Sequence, residues 1–196
     1  MTAFGAQNLA NLAWAFATLL VGDEPLMDAI ASQSIARMTE FWSMEMSNLS
    51  WACASQGFAD TPLLTAIASQ SRAKLHHFQP QDLSNLAWSF ACLAVEYPPL
   101  LSAIAAAAIR NLAAYDTQAL TSIAWALDVL RDAAALEGYL EAAFARFAEV
   151  ATPTPRTSGM SWVELGSAAL ARPALPGAPA LAARFRGELG CPALAL

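Results

Sequence analysis

Charge is scarce in this sequence: only 13% of the 196 residues are Asp, Glu, Lys or Arg, and 57% are hydrophobic, against roughly 45–50% apolar in an ordinary soluble domain. Ten Lys and Arg against sixteen Asp and Glu leave a net charge of −6. The molecule therefore has no global attraction for nucleic acid or anionic lipid, and any polyanion binding must be local. Histidine is nearly absent. The two present, His76 and His77, are adjacent and read as solvated residues at a helix carboxyl end. Cysteine is also sparse: Cys53, Cys92 and Cys191 form no CxxC or Cys/His cluster, which suits unpaired thiols and speaks against a metal site. A Gly-rich phosphate loop and paired inward-facing carboxylates are missing too. No catalytic constellation can be assembled, so no enzyme activity, cofactor, metal or small-molecule substrate is expected.

Long hydrophobic runs are missing as well. The longest candidate, Leu12 to Val21, has ten residues and ends at Asp23, Glu24 and Pro25, whereas a spanning helix needs about 20. No basic segment precedes it, so neither a signal peptide nor a transit peptide is visible, and no membrane partner is expected.

What the sequence does have is a period. Trp14, Trp51, Trp88, Trp125 and Trp162 each follow the last by 37 residues. The surrounding words agree over four copies: Gln7-Asn-Leu-Ala-Asn-Leu-Ala-Trp-Ala-Phe-Ala17, Met44-Glu-Met-Ser-Asn-Leu-Ser-Trp-Ala-Cys-Ala54, Gln81-Asp-Leu-Ser-Asn-Leu-Ala-Trp-Ser-Phe-Ala91 and Gln118-Ala-Leu-Thr-Ser-Ile-Ala-Trp-Ala-Leu-Asp128. Phe4, Phe41, Phe78 and Tyr115 precede these words, and Pro25, Pro62 and Pro99 open a second segment of helical spacing. Each copy thus reads as a helical hairpin.

The first helix of each hairpin has two apolar faces. Leu9, Leu12, Ala13, Phe16 and Leu19 suit packing on the partner helix, while Ala10, Trp14, Ala17 and Val21 lie off that stripe. A lone hairpin cannot bury both, so neighbouring hairpins should stack. The expected fold is all-α, an α-solenoid of 37-residue HEAT-like or octotricopeptide-like hairpins, with Trp14, Trp51, Trp88 and Trp125 buried between repeats. Residues 1–150 should hold four repeats, about 1–37, 38–74, 75–111 and 112–148. A degenerate fifth repeat and a partly disordered Pro/Ala-rich tail should occupy 151–196, with possible short helices at 161–171 and 179–189, and the whole reads as a fragment of something longer.

Two periodic polar features could carry recognition. Asn11, Asn48, Asn85 and Ser122 form one column, with Gln7, Gln81 and Gln118 a turn earlier. Asparagine is a poor mid-helix residue. The column is either a hydrogen-bond ladder between stacked helices or a row of amides offered to a periodic ligand such as RNA bases. The second feature is basic: Arg37, Arg72, Lys74, Arg110 and Arg146 all fall near the end of a second helix. They either compensate helix dipoles or form a positive stripe that follows a phosphate backbone.

The word Gln-Asn/Asp-Leu-Ala/Ser-Asn-Leu-Ala-Trp-Ser/Ala-Phe-Ala, followed by Pro-Leu and Ala-Ile-Ala, resembles the helical repeats of organellar RNA-metabolism proteins over about residues 4–148. These include FAST-kinase-like and RAP-domain proteins, RNA-editing substrate-binding complex repeat proteins and octotricopeptide repeat proteins. The resemblance implies a single-stranded RNA-binding solenoid in mitochondria or chloroplasts, acting on transcript processing, stability or translation, with other proteins of an RNA-processing complex as further partners. The alternative is a protein-interaction scaffold of armadillo or HEAT type.

Overall fold

A computed structural model describes residues 4–130 together with 135, 136, 138, 139, 141 and 142. The expected fifth repeat and tail, with Trp162 and Arg146, lie outside the described residues. Among those described, the chain is all helical. Its long helices are α1 (Ala6–Thr18), α2 (Glu24–Ala36), α3 (Ser43–Gln56), α4 (Thr61–Ala73), α5 (Pro80–Cys92), α6 (Pro98–Arg110) and α7 (Thr117–Val129).

Proline and aspartate fix where the second helices begin. Pro25 and Pro62 occupy the first turns of α2 and α4, where a missing N–H costs nothing. The Oδ1 atoms of Asp23 and Asp60 accept the amides of Leu26 at 3.0 Å and Leu63 at 2.7 Å, and Asp116 does the same for Ala119 at the start of α7. Such caps are each worth about 1 kcal/mol.

The helices α1, α3 and α5 end on a left-handed residue at one shared position: Leu20 (φ 55°), Gly57 (φ 67°) and Ala94 (φ 52°). The amide of the next residue then reaches back five places, Val21 to Phe16 at 3.0 Å, Phe58 to Cys53 at 2.8 Å and Val95 to Phe90 at 3.0 Å. This closes the last carbonyls of the helix. Single 3-10 turns at Met38–Glu40, Leu75–His77 and Leu112–Ala114 follow α2, α4 and α6. They were not legible in the hydrophobic pattern, and they move His76 and His77 from the expected helix end into a separate turn.

Successive first helices pack along one row, α1 on α3, α3 on α5 and α5 on α7, and α2, α4 and α6 form a second row behind them. The tightest packing lies along the first row rather than within the hairpins. Small side chains explain it: Ala10, Ala13 and Ala17 on α1, Ser47 and Ala54 on α3, and Ser84 and Ala91 on α5 are all buried, and small contact residues let helix axes approach closely. Ser47 Oγ donates across the row to the Asp82 carbonyl at 3.1 Å. Between the rows, Phe41, Met46, Leu49, Ile67, Phe90 and Leu101 fill a continuous core.

The repeat tryptophans do not share one environment. Trp88 and Trp125 are 7% and 9% exposed, Trp51 is half-buried, and Trp14 is 48% exposed. The even burial expected of all four is therefore corrected at Trp14, since no described first helix precedes α1. Ala10 and Ala17, placed with Trp14 on one face by their spacing, are buried while Trp14 and Val21 are not. Cys53 is a free, buried thiol. Cys92 is not a free thiol, so the expectation of unpaired cysteines fails there.

Candidate nucleic-acid interface

The amide column runs along the first helices α1, α3, α5 and α7. Gln7, Asn11, Gln81 and Gln118 are exposed, Asn48 and Asn85 are half-buried, and Ser122 is buried. Gln81 Nε2 donates to Asn85 Oδ1 at 2.8 Å, the i,i+4 contact that one helix face permits. Among the described residues no side-chain bond links one asparagine of the column to the next, so a continuous ladder is not formed. Met44 stands where the second copy would need its glutamine, and it is exposed.

The basic positions divide into two kinds. Arg37 caps the carboxyl end of α2 and is paired with Glu40 at 2.8 Å, and its Nη1 donates to the Phe4 carbonyl at 2.7 Å. One repeat later, Lys74 caps α4 and its Nζ donates to the carbonyls of Thr39 at 2.7 Å and Phe41 at 2.8 Å. Both cations therefore clasp the end of one hairpin to its own beginning. Arg72 and Arg110 are exposed and make no hydrogen bond or ion pair among the described residues. Arg146 lies outside them.

One group of residues was missed by the periodic reading. Trp42, the sixth tryptophan, stands outside the 37-residue column and is 56% exposed. His77 meets it edge-on, with ring centroids 5.5 Å apart, and His76 lies 4.0 Å from His77. Lys74 Nζ sits 5.2 Å from the Trp42 ring centre. Both backbones beneath this cluster are pinned, since Trp42 N donates to Glu45 Oε2 at 3.1 Å and Ser43 Oγ donates to the His77 carbonyl at 3.2 Å. The one signal that could have exposed it is a tryptophan at a position where the other copies hold Gly5, Gln79 and Asp116.

Electrostatic shifts are few. Asp82 has its carboxyl pushed up mainly by burial, an effect opposed by the Gln79 amide and the Ser43 hydroxyl and reinforced by Glu45. Burial pushes the Cys53 thiol up to about 12, so it is protonated at neutral pH and is no nucleophile there. Among the described residues, no group of His, Cys, Asp or Glu could hold a metal ion, and no helix is long and apolar enough to cross a membrane.

No curated protein matches the chain. Residues 1–134 match the family of the RNA-editing substrate-binding complex 6 protein. That span holds all seven helices described above, so the hairpins, the amide column and the exposed Arg72 and Arg110 all lie within it. The chain belongs to the RNA-editing substrate-binding complex 6 protein family.

Proposed function

We propose that this chain is a non-catalytic segment that binds single-stranded RNA as part of an RNA-editing substrate-binding complex, built as an α-solenoid of 37-residue hairpins. The family match over residues 1–134 carries the reading. Helix starts at Ala6, Ser43, Pro80 and Thr117 support the repeat length. The wider kinship with FAST-kinase-like, RAP-domain and octotricopeptide proteins rests on the shared first-helix word alone. An organellar place of work goes with this reading, the mitochondrion before the chloroplast.

Gln7, Asn11, Asn48, Gln81, Asn85, Gln118 and Ser122 are the candidates for base contact, with the exposed members of the column best placed. Of the basic positions, Arg72 and Arg110 are favoured for phosphate, because Arg37 and Lys74 already serve carbonyls. If each hairpin addresses about one base, as in other helical-repeat readers, four hairpins read about four nucleotides, too few to single out one transcript. Specificity then comes from partner proteins or further repeats. The scaffold reading draws on one observation, the apolar residues left exposed on and after α1, namely Trp14, Leu19, Leu20 and Val21; the family match does not favour it.

The test is binding of single-stranded RNA by electrophoretic mobility across a salt series. Affinity should fall as salt rises, and replacing both Arg72 and Arg110 by Ala should flatten the slope by about one to two phosphate equivalents. Binding that ignores salt, or a slope unchanged in the double variant, overturns the phosphate assignment.

A further inference from the structure

The cluster around Trp42 is not required by the array. Its position holds Gly5, Gln79 and Asp116 in the other copies, and the positions of His76 and His77 hold Thr39 and Glu40 before them and Ala113 and Ala114 after. The scaffold thus folds the same junction without an aromatic, and an exposed tryptophan gains little from burial. Yet at this junction three aromatic rings and an ammonium are gathered on the surface. Trp42 keeps more than half its area open despite His77 and Lys74 against it. Its backbone is held by Glu45 and that of His77 by Ser43, so the platform is ordered before any ligand arrives.

We propose that Trp42 is a stacking platform for one unpaired base of a single-stranded RNA, flanked by Lys74, His76 and His77. A flat π-face fits an indole beside an ammonium and two imidazoles, and Lys74 already takes the cation position at the indole ring, 5.2 Å from its centre. Glu45 and Asp82, the nearby carboxylates, accept from backbone amides and offset the Lys74 charge, so the patch holds no excess of positive charge for a phosphate. The contact is therefore stacking rather than charge neutralisation, and its contribution is largely independent of salt, unlike that of Arg72 and Arg110.

This inference rests on the RNA-binding reading, and the experiment separates the two. Fluorescence anisotropy of a short labelled oligouridine is measured with the full chain across a salt series. Trp42→Ala should weaken binding by between about 5-fold and 100-fold with the salt slope unchanged, Trp42→Phe should retain most of the affinity, and Trp14→Ala, at an exposed tryptophan elsewhere, should bind as wild type. Wild-type affinity in Trp42→Ala, a slope that falls with it, or a Phe variant as weak as the Ala variant overturns the platform while leaving the proposed function standing. No binding by the wild-type chain overturns the proposed function itself. Photocrosslinking of a 4-thiouridine oligomer to the wild-type chain needs no variant to fold: adducts on the peptides bearing Trp42 or His76 and His77 support the platform, and adducts confined to other peptides overturn it.

Discussion

The helices α1 and α5 carry almost the same word, yet Trp14 is 48% exposed and Trp88 only 7%. The difference extends beyond tryptophan. Asn11, Ala15 and Thr18 on α1 are each more exposed than Asn85, Ser89 and Cys92 on α5. No first helix is described before α1, whereas α5 packs between α3 and α7. Burial here belongs to the seam between two copies of the sequence and not to either copy alone.

That comparison can be broken most directly at the tryptophans. Trp88→Ala should destabilise the chain by about 3–5 kcal/mol, and Trp14→Ala by less than about 1 kcal/mol, a difference read from urea midpoints at constant slope. Equal losses at both positions would mean that Trp14 is packed as tightly as Trp88.

A second test uses the column Phe16, Cys53, Phe90 and Leu127, half-buried in α1 and sealed in the inner hairpins. The folded Cys53 thiol is raised from 9.0 to about 12, so folding favours the protonated form. Its contribution is fully present below about pH 9 and fades as the unfolded thiol ionises, at about 1.4 kcal/mol per pH unit, until the folded thiol also titrates. Denaturation midpoints of wild type and Cys53→Ala should therefore converge from about pH 9 to about pH 11. Parallel curves would mean that solvent reaches Cys53 in the core.

The smallest effect is expected at the left-handed turns, which the first and inner hairpins share. Leu20→Gly and Ala94→Gly should each stabilise by about 1 kcal/mol, and Gly57→Ala should destabilise by a similar amount, because only glycine enters that region without a Cβ penalty. Melting temperatures of the three variants check it. A neutral result at Leu20 alone would show that the first turn relaxes where the inner ones cannot.

Much of this molecule was legible in the order of its residues. Pro25, Pro62 and Pro99 marked the second helices, because that signal acts within one turn of chain. The clasps of Arg37 and Lys74 were not legible, since each acceptor is a backbone carbonyl about thirty residues earlier and carries no side-chain signature. Trp42 escaped for the opposite reason: a search for periodicity passes over a residue that breaks it. The exposure of Trp14 depends on a neighbour that its own word cannot specify.

The clasp has a mechanical corollary. Arg37 ties the second segment of the first hairpin to the Phe4 carbonyl, and Lys74 ties that of the second to Phe41. The corresponding residue in the third hairpin is Asn111, whose side chain makes no such bond among the described residues. Two links of the chain are latched by a cation and the third is held without one. A load drawn along the chain would meet a cation latch at the first two links and none at the third, so among the described residues the third link is the first to part.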